Sequence, residues 1–249
     1  MDALLNHKSI RKYKDTPIET DKLNAVLEAA SRASTTGNMQ VYSIVVTKDE
    51  QIRKQLWESH FKQDMVMKAP VHLTFCADFN RFTKWCEERN AKAGYDNFLS
   101  CFTAAIDALL AAQNAAIAAE KNGLGICYLG TVTWMADRFI DILKLPKLVV
   151  PVAAITLGYA DENPGLTSRL PMEAIVHDEV YTDFTSDQIN DIYRDLENMA
   201  ETKAIVTENE RENLAQVFTD KRYSKENNQI FSEKFLDVVA RQGFMNNKE

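Results

Sequence analysis

Residues that break or staple a fold are scarce in this chain. Its 249 residues include eight glycines, six prolines and four cysteines. The cysteines (Cys76, Cys86, Cys101, Cys127) lie far apart and form no CxxC pair. That spacing argues against a disulfide framework or a zinc knuckle and reads as the reduced thiols of a cytoplasmic protein. The four histidines, His7, His60, His72 and His177, show no HxxxH spacing, so no metal site is expected. No uninterrupted apolar run reaches about 18–20 residues, and the opening MDALLNHK lacks the apolar core of a signal peptide, so no membrane span or secretory leader is expected. Positive charge is also in deficit: 29 Lys and Arg against 36 Asp and Glu leave a formal net charge of −7. Bulk attraction to nucleic acid or anionic lipid is disfavoured, and any anion site must be local.

What remains is an ordinary globular composition, 45% hydrophobic and 26% charged, in a chain long enough to bury a sizeable core. From Thr20, Leu23, Val26, Leu27 and Ala30 share one helical face. VYSIVVT (41–47) and VHLTFCAD (71–78) read as strands. Thr47 and Glu50 stand at capping-box spacing before the helix DEQIRKQLWESH. A long helix is expected between Asn97 and Asn122, closed by Gly123. It is apolar nearly all round yet keeps Asp107, Gln113 and Asn114, which suits the centre of a core or a subunit interface. The strand ICYLG, a helix over Met135–Leu143 and the strand VVPVAAITLGY follow. Beyond Thr185, which with Gln188 forms a second capping box, the tail reads as helical and ends in the amphipathic FSEKFLDVVARQGF. The intermixing of short strands and long helices implies an α+β or α/β layered domain with a helical extension.

The glycines of NGLGICYLG do not make a dinucleotide fingerprint. A helix precedes them and a strand follows, the reverse of the order that GxGxxG requires. Gly130, at the end of that strand, could let a ligand approach the backbone. No GxSxG elbow is present and no cysteine has local signs of activation. Glu87–Glu88 and Glu208/Glu210 lie in polar runs that read as solvated faces. Chemistry, if present, belongs to a cofactor rather than to side chains. Against this background HKSIRKY (His7–Tyr13) stands out on an acidic chain. His7, Lys8, Ser9 and Arg11 offer the cations and neutral donors that a phosphate monoester needs, although a solvated basic loop would look the same. ASTTGNMQ (33–40) is either a plain turn or a set of short polar side chains for a planar heterocycle. Arg169 is a further basic point at an element edge.

Taken together, HKSIRKY, ASTTGNMQVYS, FCADFNR, AAQNAAIAAEKNGLGICYLG, ILKLPKLVVPVAAITLGYADENP, SRLPMEAIVH and the closing RQGF resemble the FMN-dependent nitroreductase and flavin reductase family, in particular its larger NADPH-using branch. The resemblance implies an α+β fold with a mixed, mainly antiparallel central sheet flanked by helices, an intertwined homodimer and a helical C-terminal extension. Residues 1–165 would form the FMN-binding core and 166–249 the extension of the same domain. It implies FMN at the subunit interface, with NADPH or NADH as reductant and a small-molecule electron acceptor. By position, His7, Lys8, Ser9 and Arg11 would hold the phosphate or ribityl region and Arg169 would complete the grip. Thr35, Thr36, Gly37 and Gln63 would contact the flavin, and Tyr128, Leu129, Gly130 and Thr131 would run past its ring. Lys8 and Thr167 depart from an arginine and a lysine common in relatives, and Ser232 stands near where NADPH-preferring relatives place an arginine. The expected activity is ping-pong hydride transfer to nitroaromatics, quinones or flavins, with no side chain named as catalytic acid or base. A non-catalytic FMN- or nucleotide-binding module, or another reductive enzyme of the same fold, is the alternative.

Overall fold

The computed structural model describes residues 2–246. The chain forms two compact units. One runs from the amino end to Leu166 and resumes at Ser232; the other is Thr167–Phe231.

The first unit is an α+β layer structure around one antiparallel sheet. Its elements in order are α1 (Asp2–Leu5), α2 (Thr20–Ser31), β1 (Tyr42–Thr47), α3 (Glu50–Ser59), α4 (Met65–Lys68), β2 (Val71–Asp78), α5 (Asn80–Glu88), α6 (Phe98–Lys121), β3 (Gly125–Leu129), α7 (Thr131–Trp134), α8 (Ala136–Leu143) and β4 (Val149–Gly158). The strands lie in the order β1-β2-β4-β3, all antiparallel. Helices cover both faces of the sheet, so β2 is buried at all eight positions. On one face Leu73, Phe75, Ile155 and Leu157 meet the alanines of α6 (Ala108, Ala112, Ala115), with Leu23, Val26 and Ala30 of α2 in the same cluster. Small alanine side chains let the α6 backbone lie close to the strands. On the other face Leu56, Val66, Val132 and Phe139 pack with Ile10 and Tyr13 around Leu129 and Ala154. The period-2 alternation of β2 turns His72 and Thr74 away from the α6 face.

By length and composition α6 could cross a bilayer. Three of its polar residues are nevertheless held by contacts within the chain. Asp107 accepts from Thr36, Asn114 Nδ2 donates to Ala29 O at 3.2 Å, and Gln113 Oε1 accepts from Tyr128 Oη at 3.3 Å. Its other side exposes Leu99, Phe102, Ile106, Leu109 and Leu110 at helical spacing.

Several elements differ from the sequence expectation in detail. The cap of α3 is Asp49, whose carboxylate accepts from Ile52 N, because Thr47 is buried in the β1 ladder opposite His72. The helix expected over Met135–Leu143 is α8, which starts at Ala136; Met135 (φ −121°) separates it from the short α7, a turn absent from the sequence expectation. The β2–β4 register skips Val152, one residue past Pro151, which has no N–H to give to the ladder.

The second unit contains α9 (Ser186–Asn198), α10 (Ala200–Glu208) and α11 (Leu214–Val217). The capping box is formed in full: the Thr185 hydroxyl and amide and the Gln188 side chain and amide bond reciprocally. Helix α12 (Lys225–Arg241) begins in this unit, and from Ser232 its residues belong to the first. There Val239 and Phe244 join Val41, Phe79 and Val150 in a third cluster, and Gln242 Nε2 donates to Pro146 O and Val149 O at 2.7 and 2.6 Å.

Gly125 has a packing reason to be glycine. A Cβ there would lie 2.7–3.0 Å from three side-chain atoms of Ile10. Gly125→Ala should therefore destabilise the fold by about 1–3 kcal/mol. Urea midpoints measure this, with Gly165→Ala, whose Cβ would meet nothing, leaving the midpoint in place.

Candidate functional site

The segment HKSIRKY is fixed along the outer edge of β3. Ser9 bridges Ile126 in parallel, and Ile10 N–H donates to Ile126 O at 2.8 Å. Two further bonds of 2.9 Å, Lys14 N–H to Tyr159 O and Asp161 N–H to Lys12 O, tie its far end to the chain leaving β4. Ile10 is buried over Gly125, so strand alternation sends Ser9 and Arg11 to the opposite side.

The four candidate site residues of this segment, His7, Lys8, Ser9 and Arg11, go separate ways. His7 Nδ1 lies 2.6 Å from Glu120 Oε1, and Lys8 Nζ donates to Asn163 Oδ1 at 2.8 Å. Lys8 lines a cavity of about 600 Å³ together with Glu120, Glu162 and Asn163. The amides of Arg11 and Lys12 donate to Glu162 Oε1 at 2.5 and 3.0 Å, and that from Arg11 does most to hold the Glu162 carboxyl below its usual range. The Ser9 hydroxyl and the Arg11 guanidinium have no hydrogen bond or ion pair with any described residue. Arg11 is close enough to Cys127 to offset part of the rise that burial imposes on that thiol.

At the other end of β3 the backbone turns into α7 through Gly130. Its φ of −74° and ψ of −17° suit any residue, and a Cβ there would meet nothing within 4 Å. Neither conformation nor packing requires glycine, so its effect is to leave the backbone bare toward open space. Next to it, Thr131 Oγ1 lies 2.6 Å from His60 Nδ1 and receives a long contact of 3.5 Å from Gln63 Nε2. Gln63 is brought there by Phe61 and Lys62, two successive left-handed residues at φ 53° and 60°. A left-handed non-glycine residue costs about 1–2 kcal/mol, so this turn is held by its surroundings. Tyr128, whose hydroxyl acidity is suppressed by burial, lies on the same strand.

The turn Thr35–Gly37 is set on a different element. Asp107 Oδ1 accepts from Thr36 N at 2.9 Å and Thr36 Oγ1 at 3.2 Å, while its buried Oδ2 has no partner among the described residues. Gly37 is left-handed at φ 55° and borders a cavity of about 530 Å³ with Arg81, Phe82 and Trp85. Arg169 belongs to the second unit, where its Nη1 donates to Thr167 O and Ser168 O at 3.2 and 3.0 Å. It lines a smaller cleft there with Glu173, Asp191 and Asp195.

The model of the nitroreductase family matches residues 4–159. The chain belongs to that family. It is 32% identical over 210 residues to FMN reductase (NADPH) of Bacillus subtilis, covering 80% of this chain and 84% of that protein. A crystal structure of a candidate oxidoreductase from Bacteroides fragilis superposes with a TM-score of 0.97 at 50% identity, covering 99% of this chain and 100% of that one. The NADPH:FMN oxidoreductase of Vibrio harveyi, solved with NAD+, gives a TM-score of 0.84 at 26% identity, covering 99% and 98%.

Sequence reading missed the partners of the basic segment, because Glu120, Glu162 and Asn163 lie more than 110 residues away from it. It also missed a buried imidazole pair. His60 Nε2 and His72 Nε2 are 3.0 Å apart, both side chains have no solvent exposure, and the His60 ring meets Phe139 edge-on at 5.0 Å. Burial lowers His60 from 6.5 to about 3 and puts His72 well below 6.5. Below pH 6.5 the unfolded chain binds protons at these positions that the fold refuses. The pair's full contribution to stability is thus present above pH 6.5 and shrinks as the pH falls toward 3.

Each histidine should remove about 1.4 kcal/mol of stability per pH unit in that window. Urea unfolding between pH 6.5 and 5, above the range where carboxylates titrate, should show a fall with a slope approaching two protons. A flat profile would mean that the pair is accessible to water.

Proposed function

We propose that the chain is a cytoplasmic, homodimeric FMN-dependent NAD(P)H oxidoreductase that reduces nitroaromatics, quinones or free flavins by ping-pong hydride transfer. The observation that carries this reading is the pair of features at the two ends of β3. A hydroxyl and a guanidinium without partners, Ser9 and Arg11, stand at one end, and the bare backbone of Gly130 stands at the other. From Ile126 to Gly130 the strand advances roughly 14 Å, room for an elongated ligand with an anionic end and a planar end. The donor set fits FMN: a guanidinium and a hydroxyl suit a phosphate monoester, and glycine lets a flat ring lie against the chain.

FMN, when bound, supplies the redox chemistry between NADPH or NADH and the acceptor. The chain's part is to bind and orient. Ser9 and Arg11 hold the phosphate; Tyr128, Leu129, Gly130 and Thr131 line the ring with Gln63. Asp107 fixes the Thr35–Gly37 turn, which faces the flavin at the subunit interface. No side chain is assigned as an acid or base. The exposed row from Leu99 to Leu110 on α6 supports a second copy as its cover, being apolar and continuous with the core helix. Four buried free cysteines suit a reducing compartment.

An absorption spectrum taken without air, before and after NADPH and then NADH, should show a flavin band that bleaches. A bound flavin bleached by neither would mark a binding module, and failure to take up FMN would overturn the reading. Arg11→Ala should weaken FMN binding tenfold or more, as loss of a charged hydrogen bond of about 1.5–3 kcal/mol requires. Its unfolding free energy should stay within about 0.5 kcal/mol of the parent, since Arg11 is exposed.

A further inference from the structure

A row of contacts crosses the core from β2 to the end of β3. Thr74 Oγ1 lies 3.3 Å from His72 Nδ1, His72 Nε2 is 3.0 Å from His60 Nε2, and His60 Nδ1 is 2.6 Å from Thr131 Oγ1. Thr74, His72 and His60 have no solvent exposure, and Thr131, beside Gly130, is half-buried. The row therefore begins in the sheet and ends at the edge of the open space in front of Gly130.

Two neutral imidazoles in series can be polarised in only two ways, because each carries one N–H and one lone pair. If the N–H groups pointed toward Thr74, His72 Nδ1–H would donate to that hydroxyl. The Thr74 hydrogen would then be left without an acceptor, since no other contact to Oγ1 exists among the described residues. A buried donor left unmade costs about 1–3 kcal/mol. In the opposite sense every hydrogen inside the core is used. Thr74 Oγ1–H donates to His72 Nδ1, His72 Nε2–H to His60 Nε2, and His60 Nδ1–H to Thr131 Oγ1. The long contact from the Gln63 amide also points a donor at Thr131 Oγ1. With donors arriving from the protein side, the hydroxyl hydrogen of Thr131 is directed outward.

We propose that the His72–His60 pair is a positioning unit that fixes Thr131 Oγ1 as an acceptor on its protein side and thereby presents its hydroxyl hydrogen to an acceptor atom of the flavin ring. This rests on the flavin reading of the β3 end. A pair serving only to fill space would be replaceable by apolar side chains of similar volume, because removing both partners of a buried hydrogen bond can be nearly neutral. Here the row ends at a hydroxyl that faces out of the core, and that hydroxyl gives the two imidazoles a task. His60 and His72 touch no ligand themselves; Thr131 is the group that does.

The test is a double-mutant cycle on FMN binding by the full-length protein, read by flavin absorbance, with the position of the visible band as a second readout. Thr131→Val keeps the shape and removes the hydroxyl; it should shift the band and weaken FMN by about fivefold to tenfold, the worth of one neutral hydrogen bond. His60→Leu should change both readouts in the same direction in the parent and add nothing in the Thr131→Val background. His60→Asn, whose amide nitrogen stands near the position of Nδ1, should restore most of the loss. Additive effects of the two substitutions, or a Thr131→Val protein with unchanged FMN binding, would overturn the proposal and leave the flavin reading intact. A parent protein that takes up no FMN would remove both. Should His60→Leu fail to fold, the nitrogen-15 shifts of the parent's imidazoles decide the matter without a variant. His60 protonated at Nδ1 and His72 at Nε2 is the expected pattern, and the reverse tautomers would overturn the assignment.

Discussion

The contact between Ile10 and Gly125 is the constraint on which the candidate site depends. It is a close approach that a β-carbon would forbid, and it seats the amino-terminal segment in a single register on β3. Because side chains in an extended segment alternate, burying Ile10 decides where every neighbouring donor goes. A slip of one residue would bury a cation and expose an isoleucine, which the core would not tolerate. The hydrogen bond from Ile10 N to Ile126 O locks the same register through the backbone. An acidic chain can thus hold a guanidinium free of any direct ion pair at a defined place, while Glu162 is hydrogen-bonded by backbone amides and feels the arginine's charge only at a distance.

The sheet divides its labour between two faces. Toward α6 it is apolar apart from the tyrosine hydroxyls of Tyr42 and Tyr128, and the small alanines of that helix make the packing close. Toward α3 and α8 it carries His72, Thr74 and Thr156 among aromatic and aliphatic side chains, all fully buried. Polar atoms in such surroundings are stabilising only when every one is paired. Tyr13 Oη with Thr156 Oγ1 at 2.9 Å, and the two imidazoles with their threonines, meet that condition. The polar face of the sheet is therefore a set of fixed directions, while the apolar face supplies most of the driving force for folding.

Much of this fold was legible in the sequence, for identifiable reasons. β-branched runs marked β1, β2 and β4, and the Ala-rich period marked α6, because those signals are local and strong. The capping box at Thr185 was legible as well, since nothing competes for that threonine. At Thr47 the same pattern misled, because the residue was already committed to the ladder and Asp49 took over the cap. In the site, Ser9, Arg11 and Gly130 could be singled out from type and position. The partners of His7 and Lys8 could not, since a carboxylate or an amide more than 110 residues away leaves no mark on local pattern. The meeting of His60 with His72 depends on how the end of α3 passes over β2, which no periodicity encodes. The polar run around Thr35 could be marked from residue type, as a turn or a ligand-contacting set, whereas the placement of Gln63 and Thr131 came from the family resemblance alone.

The four cysteines have a use that is independent of any ligand. Cys76 is in β2, Cys86 in α5, Cys101 in α6 and Cys127 in β3, and all four are free and buried. Burial pushes Cys101 up to about 11 and also raises Cys76 and Cys127, so in the closed fold these thiols offer almost no thiolate to an alkylating reagent. Modification must wait for the element that carries the sulfur to open. The chain therefore contains native labels in its central sheet and its two flanking helices, and the order in which they react reports which layer of the molecule gives way first.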